Sequence, residues 1–318
     1  MNKQSYTQPL LKFKLREVLH ASEWYFLSVI AFYTVLALLF FSQIPIVTTI
    51  LFENILLTLL LITIATLSKY KAGSLFTIVH RYYHLPIIYL VFIQVFSYIS
   101  VLNPKDYDVL LVQWDKALFG VNPTEWLLQL SNPVLTEFMQ IAYVLFFFHA
   151  FSQSVELNIR GMYKQADTVT RTIVFGFLLS YLLYFFLPAI GPRFSIHEYD
   201  AINSELPGLF LTVHLRLIID TGDGVKDMAL NAASQVHRNC MPSGHTMMTL
   251  MNMILAFRFR SKLRWIFLFM GSSLIFATMY LRYHYVVDVL AGIVCALIAL
   301  WIEPRIFSLL VKKKIVLE

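Results

Sequence analysis

The stretch Cys240-Met-Pro-Ser-Gly-His245-Thr-Met-Met248 closes a long polar loop and opens an apolar run. It reads as the mouth of a helix. Pro242 lacks the N–H that would go unpaired in a first helical turn. Ser243 and Gly244 leave room for a small anion to approach exposed backbone N–H groups. His245 can carry a proton near neutral pH. Those residue types, in that order, predict an anion cradle with a proton donor beside it. The rest of the chain says where such a helix sits.

It sits in a membrane. Of the 318 residues, 58% are hydrophobic and 14% charged, whereas soluble domains hold about half apolar and a quarter charged residues. Mean hydropathy is +0.67. Apolar runs long enough to span fall near 24–42, 46–67, 85–103, 133–153, 169–187, 242–257, 265–281 and 284–302. The expectation is an all-α polytopic membrane bundle of about eight spans. Basic residues test that count. With a cytoplasmic N-terminus, 18 of the 25 Lys and Arg fall on the cytoplasmic side, as the positive-inside rule requires. The loop 258–264, RFRSKLR, is the strongest anchor. The net charge of +6 then belongs to loops at one face of the bilayer and implies no nucleic-acid partner. Lys312–Lys314 reads as an inner-leaflet anchor. Residues 1–22 form a basic cytoplasmic segment, 23–302 an integral membrane domain, and 303–318 a basic cytoplasmic tail. No cleavable signal peptide and no internal repeat are evident.

Two segments on the opposite side are too long for turns. Residues 104–132 mix Asp106, Asp108, Asp115 and Glu125 with Trp114, Phe119 and Trp126. That suits a helix in the interface with rings at headgroup depth. Residues 188–241 contain the amphipathic LPGLFLTVHLRLIID and the turn TGDGVKD. Residues 9–20 suit a basic surface helix at the inner leaflet.

Three pieces converge on that non-cytoplasmic side: Pro188-Ala-Ile-Gly-Pro-Arg193-Phe, the opening stretch, and Arg282-Tyr-His284-Tyr-Val-Val-Asp288-Val-Leu-Ala-Gly292. His284 and Asp288 are four apart and share a helix face. A carboxylate there can accept the Nδ1–H of His284 and leave Nε2 free, the base-and-orienter arrangement that activates a nucleophile. Arg193 offers a planar fork of donors for phosphate oxygens. The helix start at Ser243 and Gly244 adds N–H groups and a positive dipole end. Arg282 is expected on the non-helical approach, turned toward the site. Two imidazoles, arginines and a helix N-terminus suit phosphoryl transfer.

GPR, PSGH and HYVVD followed by AG, in this order at these helix ends, resemble the type-2 phosphatidic acid phosphatase superfamily. PAIGPRF and RYHYVVDVLAG are similar to its inositolphosphorylceramide synthase-like branch, whereas PSGH with Gly third leans toward the phosphatases. The resemblance covers about 104–302 and implies a six-helix core. It implies His284 as nucleophile, Asp288 as its orienter and His245 as general acid/base, with Arg193, Ser243 and Gly244 holding phosphate. It also implies chemistry with no metal and no cofactor. The family's first motif often has Lys where this chain has Phe186, and its third often has Arg where this chain has Thr278. Arg282, and less directly Arg238, are the candidates to replace those cations.

The function so implied is a lipid phosphate phosphatase working through a phosphohistidine. One alternative is a phosphotransferase moving a phosphoinositol-like headgroup to a lipid alcohol. Another is a non-catalytic lipid-phosphate transporter, although transport sites favour interrupted helices at the midplane. The partners are the bilayer and a lipid phosphate; the oligomeric state is open. The membrane is a bacterial inner membrane, with the site facing the periplasm, or an endomembrane with the site facing the lumen. His20, His80, His84, His149, His197, His214 and His237 read as satisfied interfacial residues. Glu53, inside the second span, is a functional hypothesis. Asp223 and Asp227 read as part of a turn. Cys240 and Cys295 lie too far apart to bond.

Overall fold

The computed structural model of the protein describes residues 15–70, 75–225 and 231–316, and every regular element among them is helical. Helices α1 (Ala21–Leu39) and α2 (Val47–Tyr70) form a hairpin. Their 19 and 24 residues reach about 28 and 36 Å at the helical rise, against a hydrocarbon core of about 30 Å. Next come the short α3 (Leu75–Tyr82) and the spanning α4 (His84–Leu102). Two short helices, α5 (Asp108–Phe119) and α6 (Pro123–Leu127), follow at the far end.

The fourth apolar run, predicted over 133–153, is broken in two. It is a pair, α7 (Pro133–Val144) and α8 (Phe146–Ile159), bent by 54°. At the break the Phe148 N–H closes a three-residue turn on the Leu145 carbonyl, the tighter bonding that marks interrupted helices. Helix α9 (Tyr163–Leu183) spans next. The long segment after it holds α10 (Pro192–Ser195), α11 (Ile202–Glu205), α12 (Thr212–Gly222) and α13 (Ala232–Gln235). Helix α12 is amphipathic as predicted: Val213, Leu217 and Ile218 are exposed while Arg216, Ile219 and Asp220 are buried. Helices α14 (Gly244–Arg258), α15 (Arg264–Tyr280) and α16 (Val286–Lys312) follow.

Among the described residues five helices are long and apolar enough to cross a membrane, six with the bent pair counted as one. At 15 residues, α14 is about 22 Å long. It packs against α8, α9, α15 and α16, so protein surrounds it and it need not match the lipid. Met247, Met248, Met251 and Leu255 are buried there. Helix α9 also carries α1, α4 and α16. The outer faces keep Leu38, Phe52, Ile55, Leu59, Phe269 and Trp301 exposed, an apolar belt of the kind a bilayer covers.

Several boundaries move. Helix α14 starts two residues later than predicted: Ser243 is its N-cap and Pro242 precedes the cap. Helix α16 runs ten residues past 302, because Glu303 is buried against Arg171, Thr172 and Tyr25. Near the N-terminus, Leu15–Glu17 is one short 3₁₀ turn, and residues 9–14 lie outside the described residues, as do Lys226 and Asp227. Glu53 accepts from Gln94 Nε2 at 3.0 Å. The two cysteines are free.

Candidate active site

Two carboxylates of α5 assemble the loops. Asp108 accepts the N–H groups of Ile190 (3.0 Å) and Gly191 (2.9 Å) and the Tyr285 hydroxyl (2.8 Å). It thereby ties the GPR loop to the HYVVD loop. Asp115, two turns on and on the same face, accepts from Val286 N (3.0 Å) and Val287 N (2.9 Å). A carboxylate there complements the positive end of α16. Both acids point inward, unlike the interfacial placement predicted for the segment, because they meet backbone donors that would otherwise go unpaired. Trp114, Phe119 and Trp126 do remain exposed.

Glycines set how closely the pieces approach. Gly191 has φ +96°, and a Cβ on it would stand 2.8 Å from the Tyr283 carbonyl. A Cβ on Gly292 would lie 2.6 Å from the Ser243 carbonyl. The Ala-Gly pair after Asp288 therefore lets α16 press against the cap of α14. Ser243 N donates to the Asp288 carbonyl (3.1 Å), and Ser243 Oγ caps Thr246 N (3.3 Å). Loss of such a cap costs about 1 kcal/mol. The N–H groups of Gly244 and His245 have no partner among the described residues, as an anion cradle requires.

His284 and His245 meet across this cap. Their ring centroids are 5.7 Å apart. His284 Nδ1 faces Asp288 Oδ2 at 3.4 Å, a long contact. The same oxygen takes closer bonds from Cys240 Sγ (2.7 Å) and Tyr285 N (2.9 Å). Burial pushes the His284 imidazole down to about 3, so the ring is neutral, as a nucleophile must be. His245 stacks on Tyr143, centroids 4.5 Å apart, with Nδ1 3.4 Å from the Tyr143 hydroxyl. Neither Nε2 has a protein partner among the described residues.

A cavity of about 400 Å³ opens in front of the two rings; Arg193, Gly244, His245 and His284 line it. Ser243 and Asp288, both fully buried, support that wall from behind. Arg193 is ion-paired with Asp220 and, at 2.7 Å, with Asp223, and its guanidinium lies 4.7 Å from the Tyr283 ring centroid. Burial pushes the Asp223 carboxyl up to about 6 against the opposing pull of Arg193.

Arg282 does not reach the cavity. Its side chain is buried in an ion pair with Glu205, and its carbonyl accepts the Arg193 N–H at 3.0 Å. It holds Arg193 in place through backbone. Arg238 is likewise occupied, by Asp106 and the Asn103 carbonyl. Among the described residues Arg193 is the one cation on the cavity wall. Phe186, where a Lys is frequent, is 70% exposed. Thr278, where an Arg is frequent, accepts the N–H groups of Tyr283 and His284 on its carbonyl, both at 2.9 Å.

Sequence reasoning missed Tyr143, Asp220 and Cys240 and read Asp223 as a turn. Cys240 sits within the opening stretch, and Asp220 and Asp223 flank the Gly-rich turn, so their proximity to the motifs was the available signal. The thiol, imidazole and carboxylate of Cys240, His284 and Asp288 bring donor atoms within 4.8 Å of one another, a set that could hold a metal ion.

Two imidazoles at a helix cap, one arginine and an apolar chamber make up the candidate site. The family described as the PAP2 superfamily matches residues 109–302, and the chain belongs to it. No curated protein and no solved structure matches the chain.

Proposed function

We propose that the protein is a lipid phosphate phosphatase that works through a phosphohistidine. The observation that carries this reading is the pair of imidazoles, 5.7 Å apart, on one cavity with Arg193 and the start of α14. The phosphate enters between them. Its oxygens take the Arg193 guanidinium, displacing Asp223, and the free N–H groups of Gly244 and His245. His284 Nε2 forms a bond to phosphorus as the bond to the lipid oxygen breaks. Protonated His245 gives its proton to that oxygen, and Asp288 supports the charge that His284 gains. A water then attacks phosphorus and the P–N bond breaks. His245 takes the water's proton, and the release of phosphate restores both rings.

The charge bias of the loops supports a site at the non-cytoplasmic face. The mechanism needs no metal. A second reading, transfer to a lipid alcohol, is favoured by the apolar walls beyond the histidines, where Ile88, Phe92, Phe146 and Phe177 leave room for hydrocarbon. Purified protein given ³²P-labelled phosphatidic acid, with and without a lipid alcohol, tests both. Release of phosphate supports hydrolysis, and a new labelled lipid supports transfer. Neither product, and no acid-labile label on the protein, would refute both.

A further inference from the structure

Three polar side chains with no part in that chemistry line the cavity further in: His149 of α8 and Thr249 and Asn252 of α14. They are 6%, 1% and 0% exposed. Each carries an atom with no hydrogen-bond partner among the described residues, namely His149 Nδ1, Thr249 Oγ1 and Asn252 Oδ1. The Asn252 amide nitrogen donates to Gln153 Oε1, and Gln153 Nε2 is itself unpartnered. His149 was expected to be a satisfied residue, and it is not. Within a bilayer such groups are expensive, and they persist where something binds them.

Their register is regular. His245, Thr249 and Asn252 recur at i, i+4 and i+7, so they form one stripe down one face of α14. His149 and Gln153 are four apart on α8, which packs on α14. Thr249 lies about 6 Å and Asn252 about 10 Å along the axis from His245. The charged residues on the cavity wall, Arg193 and Asp223, both belong to the motif end. The deep stripe is therefore uncharged, offering a hydroxyl, an amide oxygen and an imidazole.

We infer that His149, Thr249 and Asn252 form a subsite for a neutral hydrogen-bonding group of the lipid. That group is an ester, amide or hydroxyl carried about 6–10 Å from a phosphorus held at the two catalytic histidines. The inference rests on the lipid-phosphate reading and adds the class of lipid to it. A bare alkyl or polyprenyl phosphate would leave the stripe unpaired, and sites built to hydrogen-bond a ligand discriminate strongly against analogues that cannot answer.

Three probes separate the chemistries: phosphatidic acid with ester-linked chains, an N-acyl lipid phosphate with amide and hydroxyl, and farnesyl phosphate with neither. Binding is measured on the full-length His284→Ala chain in detergent, which holds ligand without turning it over. At least one oxygenated probe is expected to bind about tenfold tighter than farnesyl phosphate, the effect of one buried hydrogen bond. The tighter of the two names the group. Thr249→Val, which keeps the shape, and Asn252→Leu are each expected to reduce that preference several-fold and to leave farnesyl phosphate binding unchanged. Equal affinity for all three probes, or variants that weaken all three alike, would overturn the subsite. Turnover by the unmutated chain is scored separately. If no probe releases phosphate, the catalytic reading fails while the binding ratio still decides the subsite.

Discussion

Two buried carboxylates of this protein contact histidines at opposite ends of the bundle, and only one of them holds a ring that borders open space. Glu23 of α1 is fully buried; its Oε1 lies 3.1 Å from His80 Nε2 and 3.6 Å from His84 Nε2. It also accepts the Tyr83 hydroxyl at 2.6 Å and the His20 N–H at 2.7 Å. Asp288, equally buried, holds one imidazole at a longer 3.4 Å. By contact distance alone Glu23 would be the better catalytic orienter. The rings around Glu23, however, fill its surroundings, and neither His80 nor His84 lines the cavity. His284 does line it and faces a second imidazole. A carboxylate–histidine contact ties helices together in one place. In the other, on the proposed mechanism, it orients the nucleophile, because a substrate can reach the far nitrogen.

The sharpest way to break this comparison is to remove the nitrogen itself. His284→Ala is expected to lower kcat for phosphate release by about 10⁴-fold or more, the scale on which loss of a nucleophile acts. Labelled lipid phosphate and a phosphate-release assay measure it, and a variant that keeps a tenth of the activity would refute the role. His245→Gln comes next, with a loss of about 10²–10⁴-fold for a general acid. That loss should shrink for a phenolic leaving group, which departs without a proton. An equal loss on both substrates would assign His245 to packing on Tyr143 instead.

A smaller effect tests the guard on Arg193. The Asp223 carboxyl is raised to about 6 by burial, above its unfolded value near 4. The folded chain therefore holds this proton more tightly than the unfolded chain. The stability it adds is full below about pH 4 and is lost as pH rises through about 6. Asp223→Asn should flatten that part of the Tm profile and raise Tm at pH 7. With one anion gone from Arg193, KM for lipid phosphate should fall several-fold. An unchanged pH profile and an unchanged KM would show that Asp223 does not compete with substrate.

The sequence carried the motif end well, and for a physical reason. Ser243, Gly244 and His245 fall within one turn, and although His284 stands just before the Tyr285 cap of α16 and not on the helix face expected, it stays within four residues of Asp288, so short spacing reports their geometry. The alternation of basic loops put Arg193 at the same face. What stayed hidden depends on long-range partners. Arg282 looked available because Glu205, 77 residues away, cannot be matched to it by periodicity. Asp108 and Asp115 looked interfacial because the donors they serve lie between 82 and 177 positions further on. The bend at Leu145 leaves the hydropathy of 133–153 unbroken, so no apolar window could find it.

The smallest effect on turnover is expected at the opposite end, and it carries the comparison's other half. Glu23→Gln keeps the shape of the side chain and removes the charge that His80, His84 and Tyr83 share. Breaking a buried pair from one side typically costs about 3–5 kcal/mol, so Tm in detergent should drop by several degrees. The kcat of the folded fraction should stay within about twofold, because sites this far apart that share no partner act independently. The two readouts have to separate: stability lost with chemistry kept at Glu23, and chemistry lost with the fold kept at His284. If Glu23→Gln instead silenced turnover in protein that remained folded, the two ends would be coupled. Open space around the ring would then no longer distinguish the proposed catalytic histidine from the structural ones.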